Sequence, residues 1–216
     1  MKSLTSLIFA LTTICVGAAL ALSLVNLLTA DRIAQQEWMA TMKAIRSVLP
    51  PFDNDPVEET KTILVGTDAR GNPDSLKVYL GKRGEEITGV AFSRKGEGYG
   101  GFIHVMMGID TNGHMSGVFI LPGHFETPGL GANIEKPIFT EQFKGTSLET
   151  ATLVAGNLAV DKDGGDIASI SGATISPRGV ARAVSEGLHL FERFRTELVG
   201  EATPSGGETG EEREPL

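Results

Sequence analysis

The sequence predicts an α+β protein: a single N-terminal transmembrane helix, then a domain whose largely antiparallel sheet is flanked by helices. Three observations carry that expectation. Residues 3–30 hold 28 consecutive uncharged positions, mostly Leu, Ala, Ile, Val and Thr. Strand-like runs then cluster between residues 62 and 121. Beyond Ser176, the apolar residues Val180, Val184, Leu188 and Phe191 return at the three-and-four spacing of a helix stripe. Strands gathered in mid-chain with helices toward both ends are the pattern of α+β folds. At 216 residues, 41% hydrophobic and 21% charged, the chain has material for one ordinary domain plus an extra element.

A bilayer core is crossed by about 20 apolar helical residues, so the run over 3–30 suffices with some tilt. The competing reading is a secretory leader cleaved at the small residues of "ALA", 19–21. Against it, the apolar stretch continues to Leu28, longer than the roughly 7–15 residues of such a segment. Lys2 precedes the span, while Asp31 and Glu37 follow it with Arg32 between them. That bias leaves the N-terminus in the cytoplasm and the rest on the outer side of the cytoplasmic (inner) membrane, periplasmic where there is a periplasm. Cys15, the single cysteine, lies inside the span, so no disulfide, thiolate zinc site or iron–sulfur cluster is expected. The net charge of −8 argues against an electrostatic grip on nucleic acid. About half of it lies after Gly200, in a Gly-, Pro- and Ser-rich tail of five glutamates and one arginine that is predicted to be disordered.

After the span, Ile33, Trp38, Met42, Ile45 and Leu49 recur at roughly helical spacing until Pro50 and Pro51 stop the helix. The loop "PPFDNDPVEE" leads to three strand-like runs, "TILVG", "LKVYLG" and "ITGVAFSRKG". Two more lie in "GGFIHVMMGIDTNGHMSGVFIL", joined by an Asn-Gly pair suited to a tight hairpin. "DTNG" lacks the third oxygen ligand and distal glutamate of a calcium loop. Residues 137–146, "PIFTEQFKGT", predict a short helix, and 150–160, "TATLVAGNLAV", a further strand region. "DKDGGD" at 161–166 reads as a solvated turn. His104, His114, His124 and His189 form no i, i+4 pair, and HExxH is absent, so no metal site is expected.

Two segments carry chemistry. In "SISGATISPRGVARAV", 169–184, Ser176 suits an N-cap and Pro177 the first helical position, which places Thr174 at a helix start. Such a start offers unpaired N–H groups and a positive dipole end. Gly172 and Ala173 leave room for a ligand, and Arg178 in the first turn can supply a positive charge. A phosphate site beside a hydroxyl and a plain helix cap both fit these residues. The second segment, "GHFETPGLGANI" at 123–134, sets Gly123, Pro128, Gly129 and Gly131 around Glu126 and Thr127, directly after the strand "GVFIL". Its alternatives are an ordinary turn and a rigid binding loop.

Together, "ETPGLG" and, some forty residues later, "SGAT" resemble the FMN-binding domain of membrane respiratory flavoproteins. That domain occurs in the G subunit of the Rnf electron-transport complex and in the C subunit of the sodium-translocating NADH:quinone reductase. "GYGGFIHVMMGID", "HFETPGLG", "QFKG", "DKDGGD" and "SGATISPRGV" are more similar to the Rnf protein. The resemblance covers roughly residues 97–191 and the single N-terminal span. In that family the threonine closing SGAT is esterified to the phosphate of FMN, which points to Thr174 here, with Ser171, Gly172, Ala173 and Arg178 beside it. The resemblance also lays Glu126, Thr127, Pro128, Gly129, Leu130 and Gly131 against the flavin. The family motif often carries an aspartate where this chain has Ala168.

The implied organisation is an anchor over 1–30, a helix and linker over 31–60, the FMN-binding domain over 61–199 and the acidic tail over 200–216. The implied function is electron transfer through one covalent FMN per chain, with no catalytic residue turning over a substrate of its own. Its implied partners are a flavin transferase and the other membrane subunits of an Rnf-type complex coupling electron flow between ferredoxin and NAD to ion transport. The competing assignments are the C subunit of the quinone reductase and a membrane-anchored FMN-binding sensory domain outside any pump.

Overall fold

Residues 18–49 contain neither glycine nor proline, and nothing in them breaks a helix. In the computed structural model, which describes residues 2–67, 71 and 73–200, helix α1 accordingly runs from Lys2 to Val48. The span and the helix that the sequence suggested after it are one element. The acidic tail lies outside the described residues except for Gly200.

The chain divides into two units, Met1–Lys43 and Ala44–Leu216. In the first, Leu7, Phe9, Leu11, Leu20 and Leu22 are all exposed, the surface a bilayer solvates and water does not. Thr13 and Thr29 return their hydroxyls to the carbonyls of Phe9 and Val25, at 2.8 and 2.9 Å, so neither leaves a bare polar group in an apolar stretch. Ile33 and Trp38 are exposed as well, whereas Ile45 and Leu49, in the second unit, are buried. The predicted apolar stripe therefore packs only at its C-terminal end.

The second unit is built on five strands in sequential antiparallel order: β1 (Thr60–Thr67), β2 (Pro73–Arg83), β3 (Glu86–Glu97), β4 (Phe102–Asp110) and β5 (Met115–Ile120). The β4–β5 turn is held by Asp110, whose Oδ1 accepts from Asn112 N and His114 N, both at 2.9 Å. Short helix α2 (Pro137–Thr140), the two-residue strands β6 (Leu153–Val154) and β7 (Asn157–Leu158), and helix α3 (Ile175–Val199) complete the unit.

One sheet face packs on α3. Val180, Val184, Leu188 and Phe191, the stripe read from the sequence, are each no more than 1% exposed and meet Val90, Phe92, Val105 and Met107 in one apolar cluster. A second, smaller cluster joins Ala44, Ile45, Val48 and Leu49 to Ala91 and Met106. Gly96 on β3 and Gly179 on α3 set the docking of α3. A Cβ on Gly96 would collide with the carbonyl of Gly179, and one on Gly179 with the carbonyl of Glu97. Only two glycines allow strand and helix backbones this close. The contact falls where the first turn of α3 passes into the second, so it also fixes where Thr174 stands.

Candidate functional site

Two turns of one form frame the site. Residues 127–130, Thr-Pro-Gly-Leu, close with Leu130 N donating to Thr127 O at 3.1 Å. Residues 170–173, Ile-Ser-Gly-Ala, close with Ala173 N donating to Ile170 O at 3.0 Å. The third residue of each, Gly129 or Gly172, has φ +77°, as a type II turn demands at that position. Pro128 supplies the fixed φ favoured at the second position. A 3₁₀ turn, Gly131–Glu135, follows the first turn directly. Past Thr174, α3 follows the second.

Glu126 ties the two together. It is 6% exposed; its Oε1 accepts from Gly100 N at 3.0 Å, and its Oε2 accepts from the Ser176 hydroxyl. A Cβ on Gly131 would press on the Glu126 carboxylate and lie 2.7 Å from Ser176 Oγ, so the glycine there clears the path between them. Ser176 is thus not the N-cap that the sequence suggested. The helix begins at Ile175, flanked by Thr174 without a side-chain cap, because the serine hydroxyl is drawn to a carboxylate on another loop. His124 braces the same loop: Nδ1 accepts from Glu126 N at 3.3 Å and Nε2 faces Glu135 Oε1 at 2.5 Å.

Between the turns opens a cavity of about 360 Å³ lined by Tyr99, Glu126, Thr127, Leu130, Gly131, Gly172, Ala173, Thr174, Ile175 and Ser176. Pro128, Gly129 and Ser171 shape the turns without joining that lining. Tyr99, Ile175 and Ser176 were not among the sequence candidates. Tyr99 rides on a turn closed by Gly98 N donating to Gly101 O at 2.8 Å. The signal for it is the lone aromatic of "GYGG", an exposed side chain among glycines.

Thr174 is half-buried, and Lys162 Nζ donates to its Oγ1 at 3.2 Å. Sequence reasoning missed Lys162, because "DKDGGD" draws the eye to its carboxylates. Those carboxylates do more than face solvent. Asp161 Oδ1 accepts from Lys162 N at 2.7 Å and Ser169 N at 3.0 Å. Asp166 Oδ2 accepts from Thr152 N at 2.6 Å. Asp163 holds Arg178 with two bonds of 2.6 Å. All three carboxyls are held below the usual range: Asp161 by Ser169, Asp163 by the Arg178 guanidinium and Asp166 by the Thr152 amide. Arg178, placed beside the phosphate by the sequence, instead faces Asp163 and lines a separate cavity of about 300 Å³ with Asn157 and Val160. Ala168, at the position where an aspartate is common, is fixed by its backbone, with its N donating to Gln142 Oε1 at 2.7 Å.

The donor set suits a ligand with a planar apolar body and an anionic end. Tyr99, Leu130 and Ile175 give the cavity a partly exposed apolar wall, of the kind that binds such rings. At its edge stand a threonine hydroxyl, the Lys162 ammonium and the first turn of α3. There Arg178 N bonds Thr174 O at 3.2 Å and Pro177 has no N–H, leaving the amides of Ile175 and Ser176 for an anion. FMN has such a body and such an end.

Comparison with known proteins agrees. Residues 98–189 match the FMN-binding domain family. The chain is 39% identical over 191 residues to the G subunit of the ion-translocating oxidoreductase complex of Cereibacter sphaeroides, covering 87% of this chain and 84% of that protein. It is 32% identical over 199 residues to the corresponding G subunit of Aliivibrio fischeri, covering 90% and 92%. Among solved structures, the C subunit of the Na(+)-translocating NADH-quinone reductase of Parabacteroides distasonis shares the fold. Its TM-score is 0.52 at 23% identity, with 76% of this chain and 96% of that one aligned.

Proposed function

Because the chain belongs to the family of G subunits of ion-translocating oxidoreductase complexes, we propose that its FMN is esterified through the phosphate to Thr174 Oγ1. The protein is a membrane-anchored FMN electron-transfer subunit. The observation that carries the ester reading is the half-buried Thr174 hydroxyl at the cavity edge, contacted by a lysine ammonium and followed at once by the N-terminus of α3. When bound, the flavin supplies the electron exchange. The protein fixes its position, with Tyr99, Leu130 and Ile175 against the ring and the 126–131 loop shaping its surroundings.

On the same reading, residues 1–30 are the anchor, 31–60 the helix and linker, 61–199 the flavin-binding domain and 200–216 an acidic tail, with Ala44, Ile45 and Val48 lending their side chains to the domain core. The domain faces the outer side of the cytoplasmic membrane, and a flavin transferase installs the cofactor there. The partners are the other membrane subunits of an Rnf-type complex, a translocase that couples electron transfer between ferredoxin and NAD to ion movement.

Thr174→Val tests the ester, since valine keeps the shape and removes the hydroxyl. Wild-type chain made alongside the transferase stays fluorescent in a denaturing gel and gains the mass of one FMN less water. The variant stays dark at unchanged melting temperature; a fluorescent variant band would place the ester elsewhere. Orientation is tested separately by fusing reporters after Gly200. One that functions only outside the cytoplasm should be active there, and activity of a cytoplasm-only reporter would reverse the topology.

A further inference from the structure

We propose that Lys162 positions Thr174 and is the counter-ion of the phosphate it carries, an assignment that rests on the threonine–FMN ester. Its ammonium donates to Thr174 Oγ1 at 3.2 Å and makes no ion pair among the described residues. A positive charge opposed only at longer range, by the neighbouring Asp161 carboxylate, therefore stands beside the oxygen to be esterified. The other cation close in sequence is already committed, with Arg178 gripped by both oxygens of Asp163 at 2.6 Å.

Lys162 is also held in place. Asp161 Oδ1 accepts from both Lys162 N and Ser169 N, tying the lysine to the segment that leads into the 170–173 turn. Asp163 N donates to Val160 O at 2.9 Å and Gly164 N to Asp161 O at 3.0 Å, which closes the turn carrying Lys162. The Asp163–Arg178 pair fastens that turn to α3. The charged oxygens of a phosphate ester lie two bonds beyond the atom that Lys162 already contacts. A lysine in that place makes a charge-assisted bond, roughly twice as strong as a neutral one.

The test uses the full chain with a flavin transferase and its flavin donor. The initial rate of flavin incorporation is read by in-gel fluorescence and intact mass. Lys162→Met should slow incorporation by about tenfold or more, without moving the melting temperature, because the side chain is exposed. Lys162→Arg should recover most of the rate. In a Thr174→Val background, where no ester forms, Lys162→Met should weaken FMN binding by about tenfold and leave riboflavin, which has no phosphate, unaffected. Wild-type incorporation in Lys162→Met, or equal losses for FMN and riboflavin, would overturn the assignment. Failure of the ester itself registers separately, as flavin retained by denatured Thr174→Val.

Discussion

The turns at 127–130 and 170–173 share a backbone form and differ in what supports it. The first leans on the interior. Glu126 is buried, its two oxygens take the Gly100 amide and the Ser176 hydroxyl, and Gly131 keeps the carboxylate's path clear. The second leans on the surface, where Asp161, Lys162, Asp163 and Asp166 are all exposed and bind amides, a hydroxyl and a guanidinium. Support from the interior fixes shape, since a buried polar pair tolerates neither loss nor crowding. Support from the surface places charge, which solvent can modulate but shape changes barely touch. The site uses the first to form the wall of the cavity and the second to manage an anion at its edge.

The largest break in that contrast should come from Glu126→Ala. It strands the buried Ser176 hydroxyl, at roughly 1–3 kcal/mol for a group left without a partner, and releases the amide of Gly100, which water can reach. The melting temperature should fall by several degrees and flavin loading should fall with it. No exposed carboxylate of the 161–166 turn, replaced by its amide, should approach that loss. Unchanged thermal stability in Glu126→Ala would remove the interior support on which the comparison stands.

Much of this fold is legible in the sequence because strand and helix periods are local. The five strands alternate or run apolar between turn residues, and α3 shows its stripe at the expected spacing. What the sequence hid was tertiary. Ser176 before Pro177 has every local mark of a cap, yet Glu126 takes its hydroxyl. Arg178 looks free beside Thr174, yet Asp163 takes its guanidinium with both oxygens. Lys162 is one lysine among aspartates until the chain folds its ammonium onto Thr174. The two motifs themselves were legible because each spells its turn, with proline or serine second and glycine third.

A finer probe separates Gly129 in the first turn from Gly131 just after it. At Gly131 a Cβ would meet the Glu126 carboxylate and Ser176 Oγ, so Gly131→Ala overpacks an interior contact at about 1–3 kcal/mol. At Gly129 nothing lies within 4 Å of the added carbon; the change costs only the strain of its φ of +77°, about 1 kcal/mol. Both variants should keep the flavin through denaturation. Gly131→Ala should shift its redox potential and slow electron transfer measurably, and Gly129→Ala much less. Equal shifts would mean that the ring senses the turn as a whole rather than the contact behind Gly131.

The smallest effect, and the sharpest test of the surface half, is acid. Asp161, Asp163 and Asp166 are each held below their ordinary values, so the unfolded chain binds their protons more readily than the folded one. Their contribution is complete above the unfolded value of about 3.9 and is lost as pH falls through the lower, folded values. Below about pH 4, the amides that these carboxylates hold should lose protection against hydrogen exchange, once the pH dependence of intrinsic exchange is removed. The amides in question are Thr152 N and Ser169 N. Leu130 N and Ala132 N, which bond the Thr127 carbonyl rather than a carboxylate, should keep theirs over the same range. Asp166→Asn should remove the pH dependence at Thr152 while leaving that at Ser169. If the two turns lose protection together, acid is unfolding the domain as a unit, and the division between interior shape and surface charge is wrong.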